Sequence, residues 1–414
     1  MAPNRTFAAG LLALLVAAFV APSALAAGRI PTATDIWAAT WEASPQGATP
    51  PPDALTNTTV RQIAHVSLGG IYMRVKLSNE FGDKPLEVKE VHIALATGAG
   101  SSIQAATDKA VMFSSRPGII IPAGAVVVSD PISIQVPSAS NVAVTIAFGA
   151  VPGSVTSHYF SMQDAFIAPG DVVASPDMAG ARTLNHNVIL SGLDVSASRN
   201  TKVVVALGNA FTAGYGSTAN TNQRWPDVLS DKLASRGGNA PIGVVNAGIG
   251  GNRLLHDLFG SNALSRFDRD VLAQPAVGYL IVLLGTDDFG LPGGRNLVGE
   301  DVTSDDVIAA YRQLIQRAHM YSIKVFIGTL PPFGPIPERP GYYSDAAEAK
   351  REAVNNWIRT NSKEFEGVID FEAAVRDPAN RNRLAPQYDS GDHLDPNDAG
   401  YKAMVNAIEM RLFE

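Results

Sequence analysis

Residues 202–217 read KVVVALGNAFTAGYGS. A run of β-branched and apolar residues closes on Gly208, and a short polar loop follows. A continuous apolar run of this length reads as a strand buried on both faces. The sequence beyond it repeats the plan. QRWPDVLSDKLASRGG has helical spacing and a glycine stop, and IGVVNAG is a second strand. NALSRFDRDVLAQ reads as a helix, VGYLIVLLG as a strand, and SDDVIAAYRQLIQRAHMYS as a helix with a Ser/Asp start. IKVFIGTL (strand), DAAEAKREAVNNWIRTNS (helix), GVIDF (strand) and DPNDAGYKAMVNAIEMRLF (helix) complete the alternation. Strands alternating with helices predict a parallel sheet covered on both faces. Ligands bind off the carboxyl ends of such strands. The loops after Leu207, Asn246, Leu284 and Phe371 are therefore where chemistry belongs.

Upstream the period is different. From about Ile36 to Leu193, stretches such as IYMRVKLSNEFG, VKEVHIALATG and NVAVTIAFGAVPG are short β-branched runs cut by Gly, Pro, Asn and Asp. Regular short strands of this kind predict an all-β sandwich or jelly roll. SPQGATPPPDALTNTT, Ser44 to Thr59, reads as a surface loop. Three parts are expected: a signal peptide over 1–26, a β-sandwich/jelly-roll domain over 27–198, and an α/β domain over 199–414. The leader reading rests on Arg5, the apolar run from about Phe7 to Val20, and the small residues Ala24-Leu25-Ala26. It predicts a secreted or periplasmic protein with no stable membrane insertion after cleavage.

The chain of 414 residues is 46% hydrophobic and 17% charged, which is enough for a sizeable core. Its formal net charge of -7 argues against a sequence-independent nucleic-acid partner. There is no cysteine, so thiol catalysis, thiolate metal sites and disulfides are excluded.

The four loops resemble the blocks of the SGNH (GDSL) hydrolase family, in order and in register with the βα pattern. The first block, Gly-Asp-Ser in that family, is Gly208-Asn209-Ala210 here, followed by Thr212 and Gly214. The second is NAGIGGN, with Gly251 and its neighbour Gly250. The third, Gly-x-Asn-Asp, is Gly285-Thr286-Asp287-Asp288, and the last, Asp-x-x-His-Pro, is Asp392-His393-Leu394-Asp395-Pro396. NQRWPDVLSDKL, GGNRLL and NDAGYKAM look like secreted members with an N-terminal β domain. The resemblance implies a flavodoxin-like SGNH hydrolase fold and a serine esterase mechanism. Serine attacks the ester carbonyl, histidine takes its proton, and aspartate orients the histidine. Carried over by position, Ala210 stands for the nucleophile, Asp395 for the base, Asp392 for the orienting acid, and Gly251 and Asp287 for oxyanion donors.

Ala210 has no nucleophilic atom, Asp395 replaces imidazole by a weaker and shorter base, and Asp287 sets a carboxylate where negative charge develops. Two neighbouring carboxyls at 392 and 395 should push one pKa up. His393, Ser217 and Ser390 are expected to be structural or surface residues. Asp287, Asp288, Asp392 and Asp395 form an oxygen-rich set that could hold Ca²⁺, although Asp288 is acidic in the family motif and reads as structural. No cofactor or metal is expected. Phe211, Arg253 and Phe289, with Tyr215, Phe333 and Tyr342, are candidate pocket residues for a small-molecule or polysaccharide ester. The expectation is a carbohydrate or short-acyl ester hydrolase scaffold, inactive or severely impaired. A non-catalytic glycan-binding protein and a hydrolase of altered mechanism through Asp395 are the alternatives.

Overall fold

The structure is a computed structural model that describes residues 35–47, 55–98, 100–236 and 240–414. The leader expected over 1–26 lies outside the described residues.

The N-terminal half is antiparallel throughout. One sheet runs Asp35–Glu42, Leu190–Ser198, Gly70–Ser78, with Val126–Val128 and Ile132–Val136 both paired to Gly70–Ser78. The second runs Arg182–Leu184, Ala165–Pro169, Thr58–Val66, Ser140–Phe148, Leu86–Leu95, and Lys109–Val111 and Ile119–Ile121 both pair with Leu86–Leu95. Their apolar faces form one core. In Ile132–Val136 the residues alternate strictly: Ile132, Ile134 and Val136 are buried, Ser133 and Gln135 exposed. A small third sheet joins His186–Val188, Thr156–Tyr159 and Gln46–Gly47.

That third sheet corrects the surface-loop reading of Ser44–Thr59. Ser44, Gln46, Leu55 and Thr59 are buried. The Gln46 amide donates to the Phe259 carbonyl, and its oxygen accepts from the Tyr159 N–H at 3.0 Å. Proline and glycine mark where a period breaks, not what will pack over the break; residues 48–54 of this piece lie outside the described residues.

The C-terminal half is a five-stranded parallel sheet ordered Ile242–Gly248, Lys202–Gly208, Val277–Leu283, Lys324–Gly328, Gly367–Ile369. In chain order this is 2-1-3-4-5, the flavodoxin-like arrangement, whose switch point falls between its first and third strands. Gly208 is in register with Gly248 on one side and Leu283 on the other, so three loops leave the sheet side by side. Helices Trp225–Ser235, Ser304–His319, Asp345–Thr360 and Asp398–Asn406 cover the sheet. Two helices escape the periodicity argument. Thr286–Gly294 contains Pro292 and three glycines, and Phe371–Val375 begins where a strand ending at Phe371 is expected. Asp370 stops that strand by accepting the Ala373 N–H at 3.1 Å, an N-cap.

Arg266 ties the two halves together. It sits on the short helix Ala263–Phe267 and is 1% exposed. Its Nε donates to Asn252 Oδ1 at 3.0 Å, and Nη1 to Asp270 Oδ2 and the Ala247 carbonyl, both at 2.8 Å. Nη1 also reaches Ser44 Oγ of the β region at 3.2 Å, and Nη2 the Gly208 carbonyl at 3.1 Å. One buried guanidinium thus holds the ends of two adjacent strands, the second motif loop and the β region. Arg266→Met leaves these acceptors and Asp270 without their shared donor. Removing one partner of a buried pair typically costs roughly 3–5 kcal/mol, and urea unfolding of the variant should show a loss of that order.

Candidate active site

The three aligned strand ends open onto a cavity of about 660 Å³, within the ordinary size of a small-molecule site. Glycine makes the floor. A Cβ on Gly208 would lie 1.9 Å from Thr212 Oγ1, and one on Gly248 would lie 2.2 Å from the Ala213 nitrogen. Their absence lets the single helical turn Ala210–Ala213 sit down over both strand ends. Asn209 caps that turn, its Oδ1 accepting the Phe211 N–H at 3.2 Å. Ala210 lines the cavity with a methyl group, and its N–H and that of Gly251 meet no acceptor among the described residues. Gly251 has φ +73°, and the Phe259 ring packs so closely that a Cβ would lie 2.4 Å from it.

Asp287 also lines the cavity, but both its oxygens are engaged. Asn209 Nδ2 donates to one at 2.6 Å, and the Tyr342 hydroxyl to the other at 2.9 Å. Burial raises the Asp287 pKa, and these two donations work against the rise. Tyr342 is itself held protonated by burial and by the Asp287 charge. Its ring rests on the glycine face of Thr286–Gly294, where a Cβ on Gly290 would lie 2.4 Å from Cζ. Phe333 meets it edge-on at 5.8 Å.

Asp395 is 1% exposed, lines the cavity, and takes no N–H or protein hydroxyl donor on either oxygen. The Asp392 carboxyl adjoins it. Burial, and then the Asp392 charge, push the Asp395 pKa well above the carboxylate range. Asp392 is also partly buried, but the N–H donation of Asp395 at 2.8 Å and that of Leu394 at 3.0 Å outweigh this and hold its pKa low. Of the two, Asp395 is therefore the group that binds a proton more readily.

The structure brings Asn209, Ala210, Phe211, Tyr215, Gly250, Gly251, Asp287, Tyr342 and Asp395 to one cavity. Arg253 and Phe289, expected at the pocket, do not line it. Arg253 is buried and paired with Glu300 at 2.7 Å, and Phe289 and Phe333 are packed in the core. Asp288 faces away and accepts the N–H groups of Leu254 and Leu255 at 2.9–3.2 Å; burial raises its pKa to about 7. No group of three or more His, Asp or Glu among the described residues is arranged to hold a metal ion. The His393 ring turns to Asp389 at 2.8 Å. Ser217 Oγ donates to the Gly214 carbonyl and Ser390 Oγ to Asp392, and neither serine lines the cavity. Sequence reading missed Phe160, Phe259, Arg295, Asn296, Glu338 and Arg339 on the walls. They fall outside the motif loops and carry no spacing that would gather them.

Asp395 supplies a pH signature. Between its ordinary range near 4 and its raised folded value, the folded state keeps a proton that the unfolded chain has lost. Stability from this group is complete at low pH and falls as pH rises through the folded value, by up to about 1.4 kcal/mol per pH unit. Asp395→Asn should fold normally and lose that part of the slope, read from denaturant midpoints at pH 5 and pH 8.

Comparison with known proteins follows the same half of the chain. Residues 206–403 match the model of the GDSL-like lipase/acylhydrolase family. No curated protein matches the chain. Among solved structures, a candidate lipolytic protein of the G-D-S-L family from Desulfitobacterium hafniense DCB-2 is 24% identical, with 50% of this chain and 97% of that one covered and a TM-score of 0.38. A GDSL-like lipase from Bacteroides thetaiotaomicron is 22% identical (51% and 88% covered, TM-score 0.38). A carbohydrate acetylesterase family member from Sinorhizobium meliloti is 16% identical (50% and 94% covered, TM-score 0.39). No helix among the described residues is long and apolar enough to cross a membrane.

Proposed function

We propose that the protein, whose residues 206–403 match the GDSL-like lipase/acylhydrolase family, binds a carbohydrate or short-acyl ester without forming an acyl-enzyme. One observation carries this reading. Among the nineteen residues that line the cavity, none is Ser, Thr, Cys, Lys or His. Two unengaged backbone N–H groups remain to receive a carbonyl oxygen, at Ala210 and Gly251. The position from which attack would come holds a methyl group, and the residue placed to serve as base is a buried carboxyl whose pKa is raised. The same proposal sets the protein outside the cytoplasm, on the sequence of residues 1–26.

The proposal is tested in two directions. The protein itself should leave p-nitrophenyl acetate at background hydrolysis and should take no label from a fluorophosphonate probe; a covalent adduct would refute it. The variant Asn209→Asp, Ala210→Ser, Asp287→Asn, Asp395→His should hydrolyse short-chain esters at least about 10³-fold above background and be silenced by that probe. Ala210→Ser alone should gain little, because such residues act as a unit.

The adjoining carboxyls of Asp392 and Asp395, one raised in pKa and the other lowered, favour a second reading, direct attack by water. The carboxyl pair would take a proton from water as its oxygen bonds to the ester carbonyl carbon, then pass a proton to the departing alkoxide. Steady turnover without probe labelling, abolished by Asp395→Asn, would establish this route in place of the first.

A further inference from the structure

Among the described residues, the β half reaches the cavity at Phe160, which opens the segment 160–164. Four hydrogen bonds from three of its residues meet a single asparagine of the α/β half. Gln163 Nε2 and the Asp164 N–H both donate to Asn220 Oδ1, at 2.9 and 2.7 Å. Asn220 Nδ2 donates to Asp164 Oδ2 at 2.8 Å, and the Asn220 N–H to the Met162 carbonyl at 2.9 Å. Arg224 Nη1 adds a fifth bond, to the Ser161 carbonyl at 3.1 Å. The segment is fastened to the α/β half, and it carries Phe160 on the cavity wall.

Phe160 has two costly properties. Its φ is +55°, unfavourable for a bulky residue, and its ring is 50% exposed. Packing into a core does not account for a ring left in water. Its edge meets Tyr215, a cavity residue of the first motif loop, at 5.7 Å and 88°. Phe259, 39% exposed, covers Gly251 on the same cavity. The cavity wall also carries Arg295, Asn296, Glu338 and Arg339, all exposed. An acyl chain would call for a continuous apolar lining. A rigid ring with one face of C–H groups and a rim of hydroxyls matches aromatic faces combined with amide, guanidinium and carboxylate groups.

We infer that Phe160, supplied by the β half, forms with Tyr215 and Phe259 a platform for a sugar ring whose ester group enters the cradle at Ala210 and Gly251. This deepens the ester-binding reading and rests on it. The β half then selects the ligand, and the five hydrogen bonds to residues 220 and 224 preorganise the platform before binding.

The test compares two probes on the full chain by NMR titration: methyl 2-O-acetyl-β-D-xylopyranoside and ethyl acetate. The sugar ester should bind about tenfold or more tightly than ethyl acetate, and Phe160→Ala should remove most of that difference. Phe160→Gly removes the ring while relieving the left-handed backbone, so it should show the same loss in a protein at least as stable. Phe160→Trp should retain the preference. Equal binding of the two probes, or a sugar preference that survives both Phe160→Ala and Phe160→Gly, overturns the platform and leaves the ester site standing. Failure of the protein to bind either probe overturns the ester site and the platform with it.

Discussion

The buried guanidinium of Arg266 is the contact on which the rest of the arrangement leans. The end of a parallel strand leaves carbonyl groups that a following loop must satisfy, and burial makes any unmet one expensive. Here Gly208 and Ala247 present such carbonyls beneath the cavity, and a single side chain serves both. The same group fixes Asn252 behind the second motif loop and reaches Ser44 across the boundary. Its charge is balanced by Asp270, whose pKa burial raises but Arg269 and Arg266 together hold low. Glu42 completes the cluster with a pKa well above the usual range, because burial and then the Asp270 charge oppose its ionisation. The cradle and the inter-half contact therefore share one electrostatic support.

The carboxyl groups around the cavity illustrate a second constraint. A buried acid needs a donor or must keep its proton. Asp287 finds two neutral donors in Asn209 and Tyr342, and Asp288 takes two backbone N–H groups. Asp395 finds no donor, and burial and then the Asp392 charge raise its pKa. At Asp287 the sequence sets a carboxyl where an oxyanion would form. The structure adds that Asn209 turns its amide onto that residue, so two of the departures from the family motif are bonded to each other.

Which parts of the site could be read in advance follows from how local each one is. Ala210, Gly251, Asp287 and Asp395 lie in motif loops at strand ends, so strand order alone brings them together. Arg253 and Phe289 are near those loops in sequence and were expected at the pocket for that reason, but each turns inward to pack or to pair with Glu300. Tyr342 reaches Asp287 because Gly290 and Gly294 lie on one face of a helix, and a Cβ on either would be within 3.2 Å of it. Helix propensity argues against such a helix; the space that its glycines leave for a ring argues for it. Nothing in the spacing of a proline- and glycine-rich stretch reports that space.

The alternation of periods by itself determined an antiparallel β half followed by a parallel α/β half, because burial on one face or two imposes a different repeat on each strand. It also determined which loops carry chemistry, because right-handed crossovers send them all to one edge. Only the tertiary structure decided that Phe160 of the first half stands on the cavity of the second, and that Asp395 rather than Asp392 is the carboxyl whose pKa rises. Both depend on distances between residues far apart in the chain or on the loss of water around them, and neither quantity is written in a local pattern.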